Sequence, residues 1–446
     1  MAKRTTLVSS DRSNVGCRRA INQDSRAIIA PTGSEEYRTR GWLFIVADGM
    51  GAHAAGEEAS RMAVERVPAI YRKLSHRTPP DALLRALQQA NAEIHDKGET
   101  DLSMKGMGTT CTTLVLVPRG ALIGHVGDSR AYRIRGRTVE QLSKDHSWAW
   151  ECGSGGKEAD DIPKNIITRS MGPHPEVKPD IEGPFPVHDG DIFLLCSDGL
   201  SGQVSDAEIG LVTSHLDDPS RAAEALIGLT LARGAPDNVT VVIAKAGPKE
   251  VTKVFAKHEP WPLTDAGTAA PRGKQPAWWS LAAAAACVFV AMLISPWSDL
   301  VQNGSGFVKE ASRIGAVTAI VAGVVFLSYT ILSVVNQEKH PTSQTRGTKG
   351  GRGPHRKADC TPTLPLLEGI ARSIDAASRD LGSEDADRLR QLVATARERA
   401  AARGFEEAVA AAGDALVILA EAIPRRVAAR HPDESQADPD RSAGVG

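Results

Sequence analysis

The sequence predicts a layered α+β domain, followed by two transmembrane helices and a small all-α tail. Three observations predict it. Short Val/Ile/Leu-rich runs alternate with amphipathic helical patterns up to about residue 247, two uncharged apolar stretches lie within residues 277–335, and apolar stripes at helical spacing return after residue 362. A chain of 446 residues has room for two or three folding units. Lys+Arg is 53 against Asp+Glu 54, a net charge of -1, which removes the positive field that a nucleic-acid partner requires. With 41% hydrophobic and 24% charged residues, disordered and fibrous classes are excluded.

The N-terminus carries basic residues with no apolar core behind them, so no secretory signal is expected and the first domain is expected to stay inside the cell. The six cysteines (17, 111, 152, 196, 287 and 360) form no CxxC pair, and they read as reduced cytosolic thiols. Strands are expected at Leu43–Ala47, Thr112–Val117, Ala121–Val126, Asp191–Cys196 and Val239–Ala244, with Pro118-Arg119-Gly120 turning the second into the third. Asp81 to Asp96 places Leu84, Leu87, Ala90 and Ile94 on one helical face. Ser205-Asp206-Ala207-Glu208 is a capping-box start for a helix through Leu216.

After this 9–247 domain and a linker over 248–276, Ala277–Ser295 and Ile314–Val335 are uncharged. Each is about 20 residues long, enough at 1.5 Å per residue to cross a bilayer core of about 30 Å. Trp278, Trp279 and Trp297 bracket the first run at the expected interfaces. Small residues four apart (Ala282, Ala286; Gly315, Ala319, Gly323) suit close helix approach, as a hairpin or as a self-association seam. Basic residues precede the first run and six follow the second, from Lys339 to Lys357. The expected location is therefore the cell membrane, multi-pass with two spans, the catalytic domain and C-terminal tail being cytoplasmic.

A basic, Gly-rich linker is expected over 336–361, then three amphipathic helices over 362–430. Leu367, Ile370, Ile374 and Leu381 form the first stripe. Leu389, Leu392, Val393 and Ala396 follow an N-cap at Ser383, and Phe405, Val409, Ala412, Leu416 and Ile423 run to a stop at Pro424. The tail reads as a self-contained bundle, a self-association element or a docking site for a signalling partner. Residues 431–446 are expected to be disordered.

The chemistry gathers where the apolar strands end. Asp48-Gly49 closes one, Asp198-Gly199 closes another, Asp128 follows a third and Asp237-Asn238 precedes a fourth. One Asp-Gly is ordinarily a turn. Four acidic residues at strand ends in one domain repel one another unless cations neutralise them, and oxygen ligands suit Mg²⁺ or Mn²⁺ rather than zinc. Cys196 lies inside an apolar strand and reads as core; His53 and His125 are weaker candidates for proton donation.

The ordered set RRAINQDS, VADGMG, GTTCTTLVL, VGDSRAY, NIITRSMG, CSDGL and DNVTVV resembles the bacterial metal-dependent Ser/Thr protein phosphatases of the PPM type (type 2C), over roughly residues 9 to 247. The resemblance implies a four-layer α-β-β-α sandwich and hydrolysis of phosphoserine and phosphothreonine by a water bridging two metals. By motif, Asp48 would bridge two Mn²⁺ or Mg²⁺ ions, the Gly49 carbonyl would ligate one, and Asp198 and Asp237 would complete the set. Asp24 would hold metal-bound water, Asp128 would bind a weaker third ion, and Arg19 would grip substrate phosphate. The resemblance implies phosphoSer/phosphoThr proteins as partners, Ser/Thr kinases and their targets being the candidates, while the two uncharged runs add the lipid bilayer. The alternative is a non-catalytic module of this fold that binds a phosphorylated partner at the membrane, which loss of a ligand would mark; no ligand position is lost. Ala52 stands where the family commonly has glycine, and the segment between His146 and Asn165 corresponds to a short, Gly-rich flap.

Overall fold

Twelve strands of the computed structural model, which describes residues 7–51, 54–150, 166–247 and 353–430, form one antiparallel sheet of six strands and one of five, with a short accessory strand paired to the second. The first sheet runs β1 (Val8–Asn14), β11 (Val239–Lys245), β10 (Ile192–Cys196), β7 (Arg130–Arg135), β8 (Thr138–Gln141), β12 (Arg356–Asp359). The second runs β2 (Asp24–Ile29), β3 (Trp42–Met50), β5 (Cys111–Val117), β6 (Gly120–Val126), β9 (Asp180–Phe185), with β4 (Gly108–Thr109) paired to the end of β3.

Strand periodicity builds the layers. Phe44 and Val46 of β3 point between the sheets, where they meet Leu114, Leu116, Ile123, Phe193, Leu195, Val242 and Ala244. Leu43, Ile45 and Ala47 point the other way, under α2 (Ala55–Lys73) and α3 (Pro79–Thr100). A short α1 (Ser34–Thr39) precedes β3. The opposite face of the first sheet is covered by α5 (Asp206–His215) and α6 (Pro219–Ala232), and α4 (Asp198–Ser201) follows β10 directly. The α-β-β-α order is the one expected. All five expected strands form, as does the capping box of α5, where Ser205 and Glu208 bond reciprocally.

The tail folds as α7 (Leu364–Ser378), α8 (Ser383–Ala401) and α9 (Phe405–Arg430). Their stripes do not close on one another alone. Leu367, Ile370, Leu389, Val409, Leu416 and Leu419 share one core with Leu226, Leu229 and the outer face of the first sheet. The reason is visible in α6: Ala222, Ala223, Ala225, Leu226, Ile227, Leu229 and Leu231 are all buried, and a helix apolar on every side needs cover on every side.

Three local expectations are corrected. Gly382, not Ser383, occupies the N-cap of α8. Pro424 does not stop α9, which continues to Arg430 with Ile423 and Val427 packed on either side of it. Residues 356–359, assigned to the basic linker, form the edge strand β12. Three of its four side chains are polar, so no apolar run announces it; Lys357 pairs with Glu140 at 2.8 Å and the Arg356 guanidinium lies 4.7 Å from the Trp150 ring centre. The two uncharged runs, the linker before them, the flap centre, Ala52, His53 and residues 431–446 lie outside the described residues. Among the described residues no helix is long and apolar enough to cross a membrane.

Candidate active site

One end of the two sheets collects the acidic residues. Antiparallel pairing of β2 and β3 sets Asp24 directly opposite Asp48. Asp48 sits near the end of β3, its N–H donating to Thr110 Oγ1 at 2.9 Å and its carbonyl accepting from the Thr109 hydroxyl at 2.9 Å. Gly49 follows in a crowded spot, where a Cβ would come within 2.1 Å of the Gly56 carbonyl oxygen. No larger residue allows this approach. Asp198 opens α4 where β10 ends, and Asp128 lies in the turn from β6 to β7.

The carboxylates sense one another. Burial, then Asp24, Asp198 and Asp128, hold the Asp48 carboxyl well above its ordinary range. Burial, then Asp198 and Asp145, push Asp128 to about 7. Burial is also the main cause for Asp24, pushed to about 6, with Asp198 and Asp237 adding to it and hydrogen bonds from Ser197 and Thr240 opposing it. Asp198 is raised by burial and by Asp237. Such a group of like charges out of water is unfavourable unless a cation balances it.

Three buried oxygens, Asp24 Oδ1, Asp128 Oδ1 and Asp198 Oδ1, make no hydrogen bond. Orphaned acceptors of this kind are rare in a folded protein, and their all-oxygen chemistry fits a hard divalent cation. Among the described residues no three such side chains are closed around a single point. Asp237 is turned instead to Arg19, whose Nη2 donates to its Oδ2 at 2.7 Å. Arg19 is thus an ion-paired cation beside the acidic group, with Asp48 and Asp198 also stabilising its charge.

Two residues that the motif reading did not assign a role hold this arrangement. Asn238 accepts from the Gln23 N–H at 2.9 Å and donates to the carbonyls of Val15 (2.9 Å) and Ile21 (3.0 Å), which stitches the Arg19 loop to the start of β11. Ser197 donates to Asp24 Oδ2 at 2.8 Å and accepts from the Thr240 N–H at 3.0 Å, which joins the two sheets. Both flank an aspartate in sequence, and that adjacency was the available signal. Cys196 is buried as a core residue, its thiol pushed up to about 12, and His125 is buried against Thr112 with its imidazole pushed down to about 3 by burial and by His146, which does not favour it as a proton donor.

Residues 19–227 match the family model described as Protein phosphatase 2C. The chain is 36% identical to Protein phosphatase PhpP of Streptococcus pneumoniae over 238 residues, 51% of this chain and 93% of that protein. It is also 36% identical to Serine/threonine protein phosphatase PstP of Mycobacterium tuberculosis over 250 residues, 54% of this chain and 45% of that protein. A solved PstP catalytic domain in complex with two manganese ions is 33% identical, with a TM-score of 0.46 over 54% of this chain and 99% of that one.

Proposed function

Since the chain belongs to the protein phosphatase 2C family and is a metal-dependent protein-serine/threonine phosphatase, we propose that it is a membrane-anchored one whose chemistry is carried by the acidic end of the two sheets. The observation that carries the site assignment is the set of orphaned buried oxygens on Asp24, Asp128 and Asp198 beside Asp48 and Asp237. Asp48, the Gly49 carbonyl, Asp198 and Asp237 would hold two Mn²⁺ or Mg²⁺ ions, and Asp128 a weaker third. When bound, the ions supply an acidified water and positive charge opposite the phosphoryl oxygens.

The chain's own groups do the rest. Asp24, fixed through Oδ2 by Ser197, presents its free Oδ1 as an acceptor that holds water in place behind Asp48. Arg19, which pairs with Asp237 here, would offer its guanidinium fork to two phosphate oxygens if that carboxylate were held by a cation. Arg19→Ala is expected to lower kcat/KM toward phosphothreonine peptides by about 10- to 100-fold, in line with loss of one charge-assisted contact. Mn²⁺ affinity should hold or tighten slightly, because Asp237 loses a competing cation. An unchanged kcat/KM would return Arg19 to a surface role.

The membrane reading rests on the two uncharged runs and the six basic residues after Val335. It places phosphorylated kinases and their targets within reach on the cytosolic side, with the small-residue spacing as a route to self-association. A cysteine at Ser305, with the native cysteines replaced, should react with an impermeant maleimide on intact cells, and one at Ser343 only after lysis. Protection of both sites would mean that the hairpin does not span.

A further inference from the structure

The Arg19–Asp237 pair does not fix its own position. Its side chains are 52% and 35% exposed, and an exposed ion pair contributes only about 0–1 kcal/mol, so the backbone beneath must set where the guanidinium sits. That backbone consists of two loops locked together. Cys17 N–H donates to the Ala235 carbonyl at 2.9 Å, and Gly16 lies so close that a Cβ would come within 2.2 Å of the Asp237 carbonyl oxygen. Both loops rest on the end of α6.

α6 lies on the first sheet and is tied to β1 by Arg12–Glu224, and its opposite side is held from beyond the 248–352 segment. Gly228 meets α9 at backbone distance, a Cβ there falling 1.9 Å from the Leu416 carbonyl oxygen, and Arg221 pairs with Asp414. At the end of α6, Arg233 donates to Ser373 Oγ of α7 at 3.2 Å, to the Gln203 carbonyl at 2.7 Å and to Glu208. The chain then turns through Gly234 (φ 91°) and Ala235 (φ 25°) into Pro236-Asp237-Asn238. Cys17, Leu231 and Gly234 share a cavity of about 380 Å³ with Ile423 and Arg426 of α9.

We propose that α7 and α9 position the Arg19 and Asp237 loops through α6, so that the working phosphatase is a discontinuous unit built from residues on both sides of the 248–352 segment. Ile423 and Gly228 are positioning residues in this scheme, which rests on the reading of Arg19 as the phosphate ligand. Misplacing a binding group by about 1 Å can cost on the order of 100-fold, so small shifts of α9 reach the chemistry.

The test uses full-length protein carrying Ile423→Ala, which leaves a cavity, or Gly228→Ala, which wedges α6 from α9. Each is measured for melting temperature, for Mn²⁺ affinity by calorimetry, and for kcat and KM on a phosphothreonine peptide well below the melting point. KM is expected to rise at least about threefold with a smaller change in kcat, to return toward wild type in Ile423→Leu, and to rise no further when Ile423→Ala is added to Arg19→Ala. A lowered melting temperature with wild-type KM and kcat would overturn the proposal and leave α9 as support for the fold alone. So would a KM increase that persists in the Arg19→Ala background with wild-type Mn²⁺ affinity, because the effect would then pass through neither Arg19 nor Asp237. Should Gly228→Ala fail to fold, Ile423→Ala carries the same decision. An Arg19→Ala variant with unchanged kcat/KM would instead overturn the site reading, together with this route.

Discussion

Asp198→Asn is expected to reduce turnover by at least about 10³-fold, on the order of 4 kcal/mol of transition-state stabilisation, while leaving the fold intact. Its carboxylate is buried, raised by burial and by Asp237, and one of its oxygens has no partner. The amide removes a charge that the folded state holds at a cost when no cation is present. In EDTA the variant should therefore melt higher than the wild type, whereas added Mn²⁺ should raise the wild type far more than the variant. The stabilisation from a ligand at 100 times its Kd is about 2.7 kcal/mol, large enough to read as a shift of several degrees. Asp48→Asn should behave alike, since its carboxyl is crowded by Asp24, Asp198 and Asp128. Retained activity in either variant, or in wild type with EDTA, would sink the two-ion assignment.

Deleting residues 353–430 is expected to abolish cooperative folding of what remains. The deletion strips α6 of α9, uncovers the core that Leu226 and Leu229 share with Leu416 and Leu419, and leaves β8 as an open edge. Each core side chain returned to water costs about 1.5–3 kcal/mol against a total stability of roughly 5–15 kcal/mol, so a few such losses suffice. Aggregation on size-exclusion chromatography and a broad, uncooperative thermal transition by circular dichroism should follow. A monomeric variant lacking residues 353–430 that melts sharply within a few degrees of the full chain would show that the tail only decorates the domain.

The strands that the sequence announces are the ones buried on both faces. β3, β5, β6, β10 and β11 read as continuous apolar runs because each lies inside a sheet with a layer on either side. The four edge strands were silent. β1 (VSSDRSN), β2 (DSRAII), β9 (DIEGPF) and β12 (RKAD) have neighbours on one side only and interleave polar residues or glycine and proline with their apolar ones, so alternation is weak and no long apolar run appears. β7 was hidden for another reason: Arg130, Arg133 and Arg135 interrupt it, and each is neutralised by an acid distant in sequence or across the sheet, Asp145, Glu140 and Asp191.

The acidic set itself was legible in the sequence. Asp48, Asp128, Asp198 and Asp237 each abut an apolar run; Asp48 ends a strand of one sheet, Asp198 and Asp237 flank strands of the other, Asp128 lies in the turn between the two, and packing of the sheets brings these ends together. Arg19, Asp24 and Gly49 were legible through their motif. Tertiary structure alone decided which groups hold them there: Ser197 reaching Asp24 across the sheets, Asn238 binding three backbone groups of the Arg19 loop, and α9 seated on Gly228. Periodicity tells that α7, α8 and α9 have apolar stripes, but a stripe is equally satisfied by a sister helix, a partner or a distant part of the same chain. The choice is made by α6, whose buried surface on every side can be matched only once the whole chain has folded back onto it.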